Sequence, residues 1–434
     1  MRCREGGYKK ILNHMSISMR KFPRAIIHID GDSFFVACEL TKRPDLVGKP
    51  VVTGHERGIA TAMSMEAKRL GVTRGMPVYQ IKREFPSVVI LPSDYESYAL
   101  YSKRMIDIVR RYTSDVEEYS IDECFAEITG LQHTLDMSYH EIAKAIKKDL
   151  HSELGISFSV GLSVNKVLAK VASNYEKPNG LAMLPLCKTE EVLRDLPVGR
   201  IWGIGPNTGV YLEKLGINTA LEFASKSFEF VGAYMTKPII DIWHELHGDF
   251  VMALNTGKKT EYKSIMKTHT FTPPSSDPEI ILSELSRNIE SACARLRHHR
   301  LYTKDVIFYL KGQDFQHYGA EIGLSVPVCT PQKLVELVRE NFGKVWKPGK
   351  LYRATGIILK KISSSDVVNP DLFGDFVNAE KVSRIYDEID ALAAKFGRPV
   401  VSLGSSISKG EISRIHKNRS QTRLLPLPLL GRVT

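Results

Sequence analysis

The stretch IIHIDGDSFFVACE, from Ile26 to Glu39, places two aspartates at the end of an apolar segment. The β-branched residues that precede them are typical of a buried strand. A charged group in apolar surroundings is costly unless something cationic lies beside it. Asp30 and Asp32 therefore indicate that the end of this strand approaches a cation.

A second acidic pair, Asp122 and Glu123, lies in VEEYSIDECFAEITG, which is typical of two strands joined by a tight turn. Residues two apart on a strand share a face, so pairing of the two acidic strands would bring Asp30 close to both. Three carboxylates repel one another unless cations neutralise them, and oxygen ligands suit Mg²⁺. Two such ions, about 3.5–4 Å apart, serve phosphoryl transfer. Taken alone, either pair is more typical of a solvated turn.

The composition indicates a multi-domain protein with a polyanionic partner. The chain has 434 residues, of which 43% are hydrophobic, and this is too apolar for a disordered protein. Its 60 Lys and Arg against 49 Asp and Glu give a formal charge of +11. Nucleic acid is the favoured partner, ahead of an acidic membrane surface.

The cysteines and the apolar runs favour a reduced, cytoplasmic location without a membrane span. The six cysteines show no CxxC spacing, which argues against a zinc site or a disulfide framework. No apolar run approaches the roughly 20 residues that cross a bilayer. The basic leader lacks the apolar core of a signal peptide, and Met15 or Met19 is an alternative start to Met1.

Predicted strands and helices alternate from residue 24 to about residue 183, which favours an α/β or α+β layer. AIIHID and KPVVTG are predicted strands, and ATAMSMEAKRLG is a predicted helix that ends at Gly71. After residue 268, a helix, a strand, a strand with a helix and a final strand are predicted.

The chain resembles the Y-family translesion DNA polymerases in four dispersed motifs, which occur in the family's order and spacing. They are HIDGDSFFVACE, EEYSIDECFAEITG, VGLSVNKVLAKVASNYEKPNG and IWGIGPNTGVYLEKLGINT. The resemblance runs from about residue 24 to residue 394. The segment RPDLVGKPVV, the tryptophan of WGIG and the stretch from TPQKLVEL to ATGIIL look more like the UmuC branch than the DinB branch.

The resemblance implies an α+β fold, a right-hand polymerase with palm, fingers and thumb plus a C-terminal little finger domain. The implied segments are the first part of the palm (24–41), the fingers (42–94), the catalytic palm (95–183), the thumb with a helix-hairpin-helix (184–255), a linker (256–263), the little finger (264–363) and a C-terminal clamp-binding-like segment, helix and disordered tail (364–434).

The resemblance also gives the acidic residues roles. Asp30 and Asp122 would bridge two Mg²⁺ ions, and Glu123 would complete the ion that lowers the pKa of the primer hydroxyl. The carbonyl group of Gly31 would face the metal of the nucleotide. The family's equivalent of Asp32 is generally not a direct ligand, so a structural hydrogen bond is an equal alternative.

Several residues are expected to bind the nucleotide. Phe35 matches the steric gate that leaves no room for a 2′-hydroxyl group, and Phe34 is its packed neighbour; the alternative is two core phenylalanines. Lys177 matches a lysine that contacts the triphosphate, and its alternative is a solvated lysine. Ser64 and Lys68 belong to SMEAK, where many members read SYEAR, so Met65 and Lys68 replace a tyrosine and an arginine. Farther along, Lys166 and Lys170 could face DNA or water.

Other residues are expected to bind DNA or a partner. The hairpin Gly203-Ile204-Gly205 would contact the duplex backbone, although such a turn is often only a turn. Phosphate contacts are expected from Lys263, Lys267 and Lys311, with solvated lysines as the alternative. Leu372 and Phe373, in the sequence Asp371-Leu372-Phe373, resemble a peptide that binds a sliding clamp, or they anchor a loop.

The predicted function is template-directed DNA synthesis of the translesion type, with low fidelity, in DNA repair and SOS mutagenesis. The expected partners are primer-template DNA, dNTPs, a sliding clamp and mutagenesis accessory subunits. One alternative is a catalytically weak, polymerase-like scaffold for a mutagenesis complex, and another is a DNA-binding module without enzymatic activity. The presence of Asp30, Asp122 and Glu123 argues against both.

Overall fold

A computed structural model of the chain describes residues 22–257, 262–364, 375–396 and 399–407. The candidate start residues Met1, Met15 and Met19, and the clamp-binding candidates Leu372 and Phe373, lie outside the described residues. The chain divides into two compact units, and the first of them ends at Gly257.

The first unit contains two sheets and a series of helices. Its strands are β1 (Ile26–Gly31), β2 (Val51–Thr53), β3 (Ala62–Met63), β4 (Val89–Leu91), β5 (Val116–Glu118), β6 (Glu123–Glu127), β7 (Phe158–Ser163) and β8 (Leu181–Met183). Its α-helices are α1 (Phe34–Lys42), α2 (Met65–Arg69), α3 (Val78–Glu84), α4 (Tyr95–Val109), α5 (Leu131–Leu135), α6 (Tyr139–Leu154), α7 (Lys166–Tyr175), α8 (Leu186–Asp195), α9 (Pro206–Lys214), α10 (Ala220–Ala224), α11 (Phe228–Tyr234) and α12 (Lys237–Leu246).

The larger sheet has the order β5-β6-β1-β7-β8, with β1 at its centre and antiparallel to both neighbours. All six residues of β1 are buried, as the apolar run predicts. Ile27 and Ile29 enter the main core, whereas Ile26 packs with residues of β6 and α7 on the opposite face. Helix α7 lies close to β7, and a Cβ atom at Gly161 would collide with its backbone. His28 and Asp30 therefore face α7.

The smaller sheet has the order β3-β2-β4 and belongs to the segment predicted to form the fingers. The predicted helix ATAMSMEAKRLG is partly wrong, because its first residues form β3 and the helix begins only at Met65. Ser64 explains the later start: its backbone is extended, and its hydroxyl group accepts a hydrogen bond from Ala67 N.

Helices α8 to α12 follow the larger sheet in the segment predicted to form the thumb. The predicted helix before the Gly203-Ile204-Gly205 hairpin is only a short 3-10 turn, Val198–Arg200. Helix α12 is tied to α7 by two buried side chains. The carboxylate of Glu245 accepts hydrogen bonds from Val167 N, Val251 N and Met252 N. Asn165 caps α7 and donates to the Glu245 and Asp249 carbonyl groups.

The second unit is a four-stranded antiparallel sheet with helices. Its strands are β9 (Ser264–Ser275), β10 (Leu301–Gly312), β11 (His317–Val328) and β12 (Tyr352–Ser364), in the order β11-β10-β12-β9, and its α-helices are α13 (Pro278–His298), α14 (Pro331–Asn341) and α15 (Asp375–Phe396). Helix α13 packs on the sheet. Arg297 of α13 forms a bidentate ion pair with Asp390 of α15, at 2.7 and 2.8 Å.

Candidate active site

The acidic residues meet at the ends of β1 and β6, as the sequence predicts. Asp30 lies opposite Glu123 in the antiparallel register. Gly31 N donates a 2.9 Å hydrogen bond to the Asp122 carbonyl oxygen, which holds the turn before β6 against the end of β1. The Asp122 carboxylate accepts a hydrogen bond from the Ser120 hydroxyl group. The pairing of these strands therefore places three carboxylates at one end of the sheet.

Two lysines neutralise two of these carboxylates. Lys177, in the loop that follows α7, lies 2.7 Å from Asp30 Oδ2. Lys170, on α7, lies 2.6 Å from Glu123 Oε2. The contact of Lys177 with Asp30 does not support the alternative of a solvated lysine. The side chain of Lys177 remains one-third exposed, so it can also reach a ligand from solvent.

The expectation that Lys166 and Lys170 face DNA or water is wrong. Lys166 is 6% exposed and pairs with Glu117 of β5 at 2.6 Å. Lys170 is occupied by Glu123. The reason is that α7 presents these lysines to the sheet, where a buried ammonium group requires a carboxylate partner.

His28 is a site residue that the sequence interpretation missed. It lies two residues before Asp30 on β1, is fully buried, and points its Nε2 atom at Glu123 Oε2 over 3.8 Å. Its Nδ1 atom is 2.7 Å from the Ser173 hydroxyl oxygen. Burial lowers the pKa of His28 to about 4, so the imidazole is neutral. The two-residue spacing was the available signal, since His28 shares the face of Asp30.

Burial acts to raise the pKa of both carboxylates, and their different neighbours separate the two values. Burial raises the pKa of Asp30 to about 7, against the ammonium group of Lys177 and with the help of neighbouring Glu123. Burial acts on Glu123 in the same direction, but the ammonium group of Lys170 beside its carboxylate outweighs it and lowers the pKa of Glu123. The arrangement therefore favours the charged form of Glu123 more than that of Asp30. A further cation at this position would stabilise the charged form of both carboxylates.

The residues fit a divalent cation. In the part of the chain that the structure describes, His28, Asp30 and Glu123 form the one group of three potential ligands whose donor atoms lie within 4.8 Å of one another. Asp30 is 7% exposed and Glu123 is half-buried, and carboxylates at such depth require cationic partners. Oxygen donors of this kind suit Mg²⁺. The side chain of Asp122 lies outside this group and turns towards Ser120.

Asp32 has a structural role in this arrangement. One of its carboxylate oxygens accepts a 2.7 Å hydrogen bond from the Ser159 hydroxyl group of β7, and the other accepts one of 2.8 Å from Asn179 N. These contacts link the end of β1 to the loop that carries Lys177. They favour the structural alternative for Asp32.

The two phenylalanines after β1 occupy different environments. Phe34 is 2% exposed and lies in the core, where it matches the role of a packed neighbour and has no free face for a nucleotide. Phe35 is half-buried, and its ring stacks on Tyr98 with centroids 4.4 Å apart and an interplanar angle of 11°. The Tyr98 hydroxyl group donates to Glu39. The ring of Phe35 is therefore held on one side and open on another.

The SMEAK segment brings one of its two candidate residues towards the acidic end of β1. Lys68 is exposed, and its ammonium group lies 3.3 Å from the Ser33 hydroxyl oxygen and 4.0 Å from the sulfur of Met65. Ser64 is 4% exposed, and its hydroxyl group bonds with Val51 N, Ala67 N and the Lys49 carbonyl group. Nucleotide binding by Ser64 stays a prediction that these contacts do not support.

The predicted thumb hairpin is only partly available to DNA. Gly203 has a φ of +89°, and a Cβ atom there would lie 2.6 Å from Ile242 Cδ1, so glycine is required. Ile204 is 5% exposed and belongs to the core, so DNA contact by its side chain is excluded in this conformation. Its backbone N–H group is bonded to the Ile201 carbonyl group. Gly205 precedes α9 and has open space around it.

The predicted phosphate-binding lysines lie in or beside the sheet of the second unit. Lys263 precedes β9 and is exposed, whereas Lys267 on β9 and Lys311 on β10 are half-buried. The ammonium group of Lys311 lies 5.3 Å from the ring centroid of Phe315, which is 60% exposed. None of the described helices has both the length and the apolar character of a membrane span.

The chain matches known proteins over most of its length. The model of the impB/mucB/samB family matches residues 29–174, and the model of the family's C-terminal domain matches residues 262–372. DNA polymerase IV from Desulfatibacillum aliphaticivorans is 29% identical over 386 residues, which cover 87% of this chain and 95% of the relative. DNA polymerase IV 1 from Bacillus subtilis (strain 168) is 30% identical over 394 residues, which cover 89% and 94%.

A solved structure shares the fold. It is a Y-family DNA polymerase chimera of Dbh and Dpo4, with a TM-score of 0.67 and 23% identity, and the match covers 80% of this chain and 100% of that one. This confirms the predicted polymerase fold with a C-terminal little finger domain.

The relatives do not support the predicted UmuC branch. Both are named DNA polymerase IV, which favours the DinB type. The prediction rested on short segments such as RPDLVGKPVV, whereas the relatives match over nearly the whole chain. The family matches, the relatives and the shared fold together show that this chain belongs to the impB/mucB/samB family of Y-family DNA polymerases.

Proposed function

We propose that the chain is a template-directed DNA polymerase of the translesion type, which adds dNTPs to a primer and releases pyrophosphate. The observation that carries the proposal is the register of β1 and β6, which sets Asp30 opposite Glu123 and anchors Asp122 beside them. The relatives, which are named DNA polymerases, support the same reaction. Synthesis past damaged bases with low fidelity, as in DNA repair, is part of the proposal.

Asp30, Asp122 and Glu123 would hold two Mg²⁺ ions, and the Gly31 carbonyl group would face the ion of the nucleotide. Bound there, such ions lower the pKa of the primer hydroxyl group and neutralise charge on the leaving pyrophosphate. Asp32 supports this set from outside through its bonds to Ser159 and Asn179. The chain's own contribution to the reaction is then mostly the positioning of reacting groups.

Two lysines are placed to bind the triphosphate. Lys177 lies on Asp30 and is one-third exposed, so it can exchange this carboxylate for a phosphate oxygen. Lys68 lies beside Ser33, three residues after Asp30. Both ammonium groups are point charges without the bidentate geometry of arginine. We therefore propose that they bind the triphosphate through charge more than through fixed hydrogen-bond geometry.

Phe35 is proposed to select the sugar. Its ring is fixed against Tyr98, and Tyr98 is fixed by Glu39, so it cannot readily turn away from a ribose. A ribose 2′-hydroxyl group would then meet an immobile aromatic surface. Phe34 is its packed neighbour in the core and is not proposed to contact the sugar.

Primer-template DNA is the proposed macromolecular partner, held by Lys263, Lys267, Lys311 and the backbone around Gly205. Contacts of this kind do not depend on base sequence. Binding of a sliding clamp through Leu372 and Phe373, mutagenesis accessory subunits, a role in the SOS response and a cytoplasmic location stay predictions.

Primer extension by the purified full chain tests the proposal. A labelled primer on an undamaged template and on a template with one abasic site is incubated with Mg²⁺ and the four dNTPs. We expect extension on both templates, with products that pass the abasic position. Extension that always stops before that position would reject the translesion class, and no extension on either template would reject the polymerase.

A further inference from the structure

His28 is a buried side chain with an unused polar atom at the acidic end of β1. It is fully buried, and its Nε2 atom has no hydrogen-bond partner among the described residues. The atom points at Glu123 Oε2, 3.8 Å away, and belongs with Asp30 and Glu123 to the group of donor atoms described above. A buried polar atom without a partner is costly, so its retention here requires an explanation.

The hydrogen bonds of Ser173 determine which nitrogen of His28 carries the proton. The Ser173 hydroxyl group donates its single proton to the Lys170 carbonyl oxygen over 3.0 Å. It therefore accepts its 2.7 Å hydrogen bond from Nδ1–H of His28. In a neutral imidazole, Nε2 is then a bare lone pair, and it faces a carboxylate with no proton between them.

That arrangement is typical of a histidine that binds a metal. A ligating histidine usually donates its other N–H group to a fixed acceptor, which sets the tautomer and the orientation of the ring. The 3.8 Å between Nε2 and Oε2 is too long for a hydrogen bond. It suits two ligands of one ion, because metal bonds of about 2.1 Å allow up to about 4.2 Å between ligand atoms.

We propose that Nε2 of His28 is a metal ligand, which with Glu123 and Asp30 forms a mixed nitrogen and carboxylate site for a transition ion such as Mn²⁺. This inference rests on the proposed function, in which both carboxylates hold ions. A nitrogen ligand contributes little to Mg²⁺, which prefers oxygen, and more to first-row transition ions. The site therefore favours Mn²⁺ over Mg²⁺ beyond what three carboxylates alone provide.

Lys170 gives the proposal a second consequence. Its ammonium group lies 2.6 Å from Glu123 Oε2, the oxygen that Nε2 of His28 faces, so the ion and Lys170 compete for one atom. Removal of this lysine should strengthen binding of the ion, whereas removal of His28 should weaken it. The two substitutions lie on facing elements and act in opposite directions.

The test is Mn²⁺ binding to the full chain, followed by electron paramagnetic resonance without DNA or nucleotide. Titration gives the affinity, and pulsed measurements detect a directly bonded imidazole nitrogen. We expect nitrogen modulation in the parent protein. His28→Gln should lose it and weaken Mn²⁺ about 10–100-fold, with Mg²⁺ affinity changed less than about threefold. Lys170→Met should bind Mn²⁺ more tightly and keep the modulation.

The controls separate the possible outcomes. His151→Gln, which removes a histidine bonded to the Ile156 carbonyl group, should leave the spectrum unchanged. Glu123→Gln should remove both the nitrogen modulation and the binding of Mn²⁺. If His28→Gln does not fold, Glu123→Gln replaces it as the test. Absence of nitrogen modulation in the parent protein overturns the proposal and assigns the proton to Nε2. Nitrogen modulation without primer extension in Mg²⁺ would keep the metal site and reject the polymerase.

Discussion

At the scale of single residues, the packing of Phe35 supports its proposed role in the selection of the sugar. Its ring stacks on Tyr98, and the Tyr98 hydroxyl group donates to Glu39, which also pairs with Lys42 at 3.1 Å. A side chain held by such a chain of contacts cannot move aside at low cost when a larger sugar enters. We therefore expect discrimination at this position to depend on the ring itself.

Phe35→Ala should admit ribonucleotides, because it removes the surface that a 2′-hydroxyl group would meet. The measured quantity is the ratio of rNTP to dNTP incorporation efficiency, which should rise by about tenfold or more, equivalent to about 1.4 kcal/mol in the transition state. Phe34→Leu, a change in the core beside it, is the control and should leave the ratio unaltered. An unchanged ratio in Phe35→Ala would mean that Phe35 only packs.

Residue-scale predictions succeeded where periodicity alone was enough. The two-residue period of a strand brought Asp30 to Glu123. The same period placed His28 on that face, but a histidine in an apolar strand is not informative until its neighbours are known. The partners of Lys166 and Lys170 were not predictable, because they depend on which face of α7 meets the sheet. Ile204 was misassigned because a glycine-flanked residue can point inward.

At the scale of elements, α7 depends on a buried anchor at its N-terminus. Asn165 caps the helix through Leu168 N and donates to two carbonyl groups, those of Glu245 and Asp249. It is fully buried. Since α7 carries Lys170 and leads to Lys177, this anchor also positions the two lysines that pair with Glu123 and Asp30.

Asn165→Ala should lower the free energy of unfolding by about 2–4 kcal/mol, because it removes a cap, two hydrogen bonds to carbonyl groups and the packing of a fully buried side chain. Urea unfolding followed by tryptophan fluorescence measures the loss. Ser227→Ala removes the exposed cap of α11 and should cost only about 0.5–1 kcal/mol. Equal losses in the two variants would contradict the anchor.

In the second unit, β9 and α13 are linked by a pair that responds to pH. His269 of β9 lies 2.7 Å from Glu284 of α13, and Arg287 contacts the same carboxylate at 3.1 Å. The hydrogen bond with Glu284 raises the pKa of His269, against burial and Arg287. Burial would raise the pKa of Glu284, but His269 and Arg287 lower it.

These directions define a pH window. Because folding raises the pKa of His269, the stability that this residue contributes is complete below pH 6.5, its ordinary pKa. That stability is lost as the pH rises through the pKa of the folded protein. Because folding lowers the pKa of Glu284, the stability that this residue contributes is complete above pH 4.5, its ordinary pKa. That stability is lost as the pH falls through the pKa of the folded protein. The melting temperature difference between the parent protein and His269→Gln should be largest near about pH 5.5 and smaller at about pH 8. A difference that does not vary with pH would contradict the pairing.

Elements with a strong apolar period were predicted, and weakly patterned ones were not. The predicted strands AIIHID and KPVVTG contain most of β1 and all of β2, and the helix predicted after residue 268 is α13. Strand β9 was not predicted, since it is an edge strand with a basic beginning and two prolines, which only an edge tolerates. The late start of α2 depends on the Ser64 cap, whose hydroxyl partners are set by tertiary structure.

At the scale of the whole molecule, the charge of +11 predicts DNA binding that weakens steeply with salt. The triple alanine variant of Lys263, Lys267 and Lys311 should make the plot of log affinity against log salt concentration less steep by about 2–3. The reason is that each phosphate contact contributes about 0.9 to the steepness. Fluorescence anisotropy with a labelled primer-template measures it. The control is the double variant Lys333→Ala, Lys344→Ala, which changes two exposed lysines of the same unit. An unchanged slope in the triple variant would assign these lysines to solvent.

The central claim is that the carboxylates at the ends of β1 and β6 carry out metal-dependent nucleotide addition, and Asp122→Asn tests it most directly. The change keeps the size of the side chain and removes a carboxylate, while it touches no proposed DNA contact. Single-nucleotide incorporation is measured with Mg²⁺ alongside primer-template affinity. We predict incorporation at background with affinity within about threefold of the parent protein. Near-normal incorporation by Asp122→Asn would contradict the account.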